Sequence, residues 1–119
     1  MQSDKRIKNY KFGCITIDDK QYRSDVIVYP DNVDDSWWRS EGHKLIPIDI
    51  PALTYDKPEI LIVGQGKFGF MKVTEEFKIY AKKLGVELVV EPTEVAVERY
   101  NQLWQTGRKN IIAALHLTC

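Results

Sequence analysis

Residues 59–91 read EILIVGQGKFGFMKVTEEFKIYAKKLGVELVVE, and the reading of this stretch decides the fold. Ile60-Leu61-Ile62-Val63 is a continuous apolar run, the pattern of a strand buried on both faces in a sheet with helices on either side. A glycine loop follows, Gly64-Gln65-Gly66-Lys67-Phe68-Gly69. Thr74 is then suited to cap a helix, Glu75 and Glu76 suit the positive end of its dipole, and Phe77, Tyr80, Ala81 and Leu84 mark one face before Gly85 ends it. Val86 to Val90 is a second strand.

Downstream, Pro92-Thr93 opens another helix whose inner face carries Ala96, Tyr100, Leu103 and Trp104, and which stops at Gly107. Ile111 to Leu117 supplies a final strand. Strand, helix, strand, helix, strand implies right-handed crossovers and a mainly parallel core. Upstream the character changes. Tyr10 to Ile17 and Gln21-Tyr22, interrupted by Asp18-Asp19-Lys20, read as a hairpin, and Val26 to Tyr29 as a strand stopped by Pro30. Leu45-Ile46 is a short strand, and the prolines at 47, 51 and 58 make a connector with one helical turn near Ala52-Leu53. The expected architecture is a three-layer α/β single domain over residues 1–119. Its central sheet is mainly parallel or mixed, with flanking helices, additional N-terminal strands and residues 1–9 as a flexible or edge arm.

Composition limits the function. A chain of 119 residues buries roughly two thirds of its unfolded surface, enough for a core without staples. Seventeen basic and seventeen acidic residues cancel, which removes the broad attraction that supports nucleic-acid binding. The local excess of Lys5, Arg6, Lys8 and Lys11 reads as a solvated arm. Apolar runs fall far short of the roughly 20 residues of a membrane helix. Two cysteines, Cys14 and Cys119, make no disulfide framework, and no apolar signal core opens the chain; a cytoplasmic location without membrane contact is the expectation.

The hexapeptide at 64–69 matches the G-x-G-x-x-G spacing of dinucleotide folds. Such glycines let the backbone approach a pyrophosphate resting on the helix that follows at once. Here Phe70, Met71, Lys72 and Val73 intervene before Thr74, which displaces the dipole, and no cofactor is expected. Two readings then stand: glycine as a tight turn at the end of a central strand, and a small-anion site formed by Gly64, Gln65, Gly66 and Lys67 with Pro92 and Thr93. Asp31, Asp34 and Asp35 lack the spacing of a calcium loop, so no metal is assigned. His116 alternates within an apolar strand and reads as a core or edge histidine, and two ligands, His116 and Cys119, do not make a zinc site. No nucleophile elbow or P-loop is present. Trp37-Trp38-Arg39 is different: in an extended segment adjacent side chains face opposite ways, so either one indole belongs to the core and the other to a cleft or a partner, or both are covered by loops.

Together, Gly64-Gln65-Gly66, Pro92-Thr93, Ala96, Tyr100-Asn101, Gly107-Arg108, Ala113-Ala114-Leu115-His116 and Thr118-Cys119 resemble a small α/β domain family. It includes the mitochondrial complex I assembly factor three and the adipogenesis-associated protein of vertebrates. The likeness runs from Phe12 to Cys119 and is closest to a stand-alone archaeal hypothetical protein. It implies a three-layer α/β domain, and assembly or signalling roles rather than a demonstrated reaction. The combined expectation is a protein-interaction or assembly-type module with a protein partner or a second copy at Trp37, Trp38 and Arg39, and a small-ligand cleft. The rival is an enzyme or ligand-binding protein holding an anion near Gly64, Gly66 and Thr93.

Overall fold

A computed structural model describes residues 5–108 and 110–119. The central element is the strand read first, β7 (Ile60–Gln65). It pairs in parallel with β9 (Glu87–Glu91) on one side and with β10 (Ile111–His116) on the other. β4 (Val26–Val28) joins β10 antiparallel, and β5 (Val33–Asp34) closes that edge, so the five-stranded sheet runs β5-β4-β10-β7-β9 and is mixed. Three strands before it form their own antiparallel sheet: β1 (Ile7–Lys11), β2 (Cys14–Ile17) and β3 (Lys20–Tyr22). A parallel pair, β6 (Lys44–Leu45) with β8 (Lys72–Val73), ties two loops together.

Alternation along the central strands sets up two cores. Ile60, Ile62, Ile111, Ala113 and Leu115 face α3 (Thr93–Gln105) and the β1–β3 sheet through Ala96, Tyr100, Ile7, Ile15 and Ile17. Leu61, Val63, Ile112 and Ala114 face α2 (Glu75–Lys83), α1 (Ala52–Asp56) and a long loop, through Phe77, Ala81, Leu53 and Trp37. Strands covered on both faces explain why Ile60 to Val63 and Ile111 to Leu115 are apolar without interruption. Thr74 caps α2 by accepting from the Phe77 amide at 3.2 Å, and Gly85, at φ +76°, follows its end. No helix among the described residues is long and apolar enough to cross a membrane.

The N-terminal segment departs from expectation in two ways. The stretch from Tyr10 to Ile17 is two strands joined by a turn at Phe12-Gly13, where Gly13 adopts φ +76°. The arm is an edge strand from Ile7, and its preceding Arg6 is buried rather than solvated. Arg6 donates to Asp18, to the Tyr29 carbonyl and to the Tyr100 hydroxyl, and its guanidinium lies 4.8 Å from the centre of the Trp104 ring. A cation so surrounded is satisfied inside the fold, which charge counting along the sequence does not reveal. Residues 1–4 of the expected arm lie outside the described residues.

Candidate functional site

The carboxyl ends of β7 and β10 meet the start of α3 at the glycine loop. An added Cβ on Gly64 would lie 2.8 Å from Thr93 Oγ1 and 3.1 Å from its Cα, so glycine here allows helix and strand to touch. Thr93 Oγ1 accepts from the Gly66 amide at 2.8 Å and donates to the His116 carbonyl at 2.6 Å. The Thr93 amide donates to the Gly66 carbonyl, and the Lys67 amide donates to the Thr118 carbonyl at 2.7 Å. Gln65 closes the loop on itself through Met71, with bonds to its carbonyl and from its amide. Gly66 adopts φ +96°, and a Cβ there would lie 2.5 Å from the Thr118 carbonyl oxygen.

These bonds bear on the small-anion site expected at Gly64, Gln65, Gly66, Lys67, Pro92 and Thr93. The amides of Gly66, Lys67 and Thr93 each donate to an internal acceptor. Lys67 Nζ lies 3.5 Å from Glu94 in an exposed ion pair. Pro92 is the N-cap residue of α3, beside Gly69. The glycines form a helix-to-strand junction, and the helix that meets them is α3 rather than the α2 that follows them in sequence.

The same junction positions His116, whose Cδ2 would lie 2.9 Å from a Cβ on Gly66. His116 Nδ1 is 2.7 Å from Asp25 Oδ2. Asp25 stands immediately before β4, and its other oxygen accepts from the Leu117 amide at 2.8 Å. Arg39 completes the cluster, with Nη2 2.9 Å from Asp25 Oδ2. Because Asp25 is the acceptor, the His116 proton belongs on Nδ1; the 3.1 Å approach of Arg39 Nη2 to that nitrogen is then proximity within a shared clasp. The Arg39, His116 and Asp25 side chains are 6%, 7% and 17% exposed. Burial pushes the Asp25 carboxyl up, but its bonds to His116, the Leu117 amide and Arg39 outweigh that and hold it below the usual value. His116 Nε2 and Arg39 Nη1 are buried with no hydrogen-bond partner among the described residues. His43 lies edge-on to His116, with ring centres 6.2 Å apart.

Arg39 also carries this cluster to the tryptophan pair. Its guanidinium sits 4.6 Å from the centre of the Trp37 ring, and Trp37 Nε1 donates to the Asp49 carbonyl at 2.9 Å. Asp49 is buried and clamps the loop, its two oxygens accepting from the Ser40 and Ile46 amides at 2.9 Å each. Trp38 points the other way and is 85% exposed. It lines a cavity of about 640 Å³ with Ser24, Asp25, Asp35, Ser36, Trp37, Arg39 and Gly42. The two groups of residues singled out in the sequence, 64–67 with 92–93 and 37–39, are thus joined through His116. Asp25 and Asp49 escaped sequence reading, since each is one acid among seventeen and acts only through backbone brought from elsewhere. Chemically, the Asp25–His116 pair has its base oriented, but no hydroxyl or thiol stands within hydrogen-bond distance of Nε2 among the described residues.

Residues 7–116 match the family described as "Protein of unknown function (DUF498/DUF598)". The chain belongs to the DUF498/DUF598 family. A conserved hypothetical protein from Pyrococcus horikoshii is 27% identical to this DUF498/DUF598 chain, with TM-score 0.79 over 95% of this chain and 98% of that one. The protein named MT938 is 26% identical, with TM-score 0.75 over 95% and 97%. A protein from Bartonella henselae named as an outer membrane protein shares the fold at 20% identity, with TM-score 0.81 over 98% of each chain.

Proposed function

We propose that this DUF498/DUF598 chain is a cytoplasmic protein-interaction or assembly-type module whose partner docks on Trp38 and the adjoining cleft. The observation that carries the reading is the contrast between neighbours: Trp37 is hydrogen-bonded inside the core while Trp38 is 85% exposed on the rim of a cavity. A large ring held out on a loop clamped by Asp49 has little mobility to lose on binding, which is the property of an interface anchor. The buried Asp25–Arg39–His116 cluster serves as the rigid floor behind it. The likeness of Gly64-Gln65-Gly66, Tyr100-Asn101 and His116 to the complex I assembly factor three and the adipogenesis-associated protein favours an assembly-type role over catalysis, and the partner is another protein or a second copy.

The test replaces Trp38 with Ala and compares what co-purifies with each chain, alongside sedimentation of the free proteins. Wild type retains a partner, or self-associates, and Trp38→Ala does not while melting at the same temperature. An unchanged partner set with an unchanged sedimentation coefficient refutes the reading. The rival reading, an anion at Gly64, Gly66 and Thr93, draws support from Lys67 alone, since the backbone amides there are engaged.

A further inference from the structure

The glycine loop carries a second feature that the Trp38 cleft does not use. Phe68 and Phe70 project from it, and Phe12 projects from the β1–β2 turn beside it. The rings form a chain, with centres 6.5 Å apart for Phe12 and Phe68 and 5.9 Å for Phe68 and Phe70. Each is still more than half exposed. Rings that touch one another and remain so exposed form a continuous apolar patch open to solvent.

The two segments that carry the rings are basic in sequence, and Asp19 and Glu94 are the acids that pair with their lysines. Residues 8–17 and 64–73 contain Lys8, Lys11, Lys67 and Lys72 and no aspartate or glutamate, in a chain whose net charge is zero. Lys8 pairs with Asp19 and Lys67 with Glu94, while Lys11 and Lys72 are exposed and make no ion pair among the described residues. The tips are also held in place: the Gly13 amide donates to the Leu117 carbonyl, Lys67 to Thr118, Gly69 to Gly66 and Met71 to Gln65.

We propose that the Phe12–Phe68–Phe70 tips dock on an anionic lipid surface, inserting their rings to the depth of the headgroups with Lys11 and Lys72 against the lipid charge. Phenyl rings lack the polar edge that an indole gives a protein partner, whereas a bilayer interface takes up apolar rings without a shaped pocket. Unpaired lysines beside the rings add attraction to anionic headgroups over a Debye length. Tips tied by backbone bonds present the rings without first being ordered. Such a contact needs no membrane-spanning segment and is independent of the Trp38 reading.

The experiment sediments the full chain with vesicles of phosphatidylcholine alone and of phosphatidylcholine with ~30% phosphatidylglycerol, at ~0.05 M and ~0.5 M salt. Binding to the anionic vesicles is expected to exceed that to neutral ones by more than about tenfold at low salt, and to fall at high salt. Phe68→Ser with Phe70→Ser reduces it by about tenfold per ring, and Lys11→Gln with Lys72→Gln by about fivefold per charge. All four positions are exposed, so melting temperatures stay put and a folding defect does not confuse the result. Trp38→Ala binds vesicles as wild type does. Wild type that stays in the supernatant with both vesicles, a phenylalanine double variant that binds as well as wild type, or equal binding to neutral vesicles each overturns the proposal.

Discussion

Asp25→Ala removes one acceptor from three donors at once. The carboxylate holds the Arg39 guanidinium at 2.9 Å, His116 Nδ1 at 2.7 Å and the Leu117 amide at 2.8 Å. Breaking a buried ion pair by deleting one partner costs about 3–5 kcal/mol, because the remaining charge stays buried and uncompensated. The Leu117 amide adds the penalty of an unmade bond, but the three losses share one site and do not sum. A loss of about 4 kcal/mol is therefore expected from a total of roughly 5–15. Asp25→Asn keeps an oxygen for the Leu117 amide but sets an NH2 donor against His116 Nδ1–H and the Arg39 guanidinium, so a loss of about 3 kcal/mol is expected. Urea unfolding at neutral pH measures both. The pH dependence gives a second check. The folded carboxyl lies below its ordinary value of 3.8, so its stabilisation is complete above that value and is lost as pH falls through the lower folded one. The gap between wild type and Asp25→Asn should hold at pH 5 and narrow below about pH 4. Asp25→Ala within about 1 kcal/mol of wild type, with an unchanged denaturant slope, would refute the claim that the cluster is a tightly coupled floor.

Other substitutions test the junction on which His116 rests. Gly66→Ala places a Cβ 2.5 Å from a backbone oxygen at φ +96°, so a loss of about 3 kcal/mol or more is expected in thermal melting. Thr93→Val strips partners from the Gly66 amide and the His116 carbonyl and should cost about 3 kcal/mol, with Thr93→Ser recovering most of it. Asn101→Ala cuts both bonds that tie Ile7 to α3; hydrogen exchange of β1 amides should speed up while β7 and β10 stay protected.

How far the sequence carries the reader depends on the range of the interaction. The run from Ile60 to Leu117 was legible because burial on both faces, the Thr74 cap and the glycine stops are local signals. The placement of Trp37 and Trp38 on opposite sides was legible too, from the pleat of an extended chain. Arg6 was misjudged because its partners lie as far away as Tyr100, and nothing near it in sequence announces them. Asp25 was invisible for the same reason: it reaches His116 only because β4 pairs antiparallel with β10, in a register that sets Val26 opposite Leu115. The G-x-G-x-x-G spelling carries a different lesson. Its first two glycines permit close backbone approach, and the groups that approach are Thr93 and the tail of the chain.

The central claim is that Trp38 is a docking anchor on a fixed floor. Quantitative co-purification with wild type, Trp38→Ala and Ile79→Ala, an exposed apolar control on α2, tests it most directly. A partner, or a second copy, is expected to be retained by wild type and Ile79→Ala and lost from a folded Trp38→Ala. Equal retention by all three proteins would contradict it.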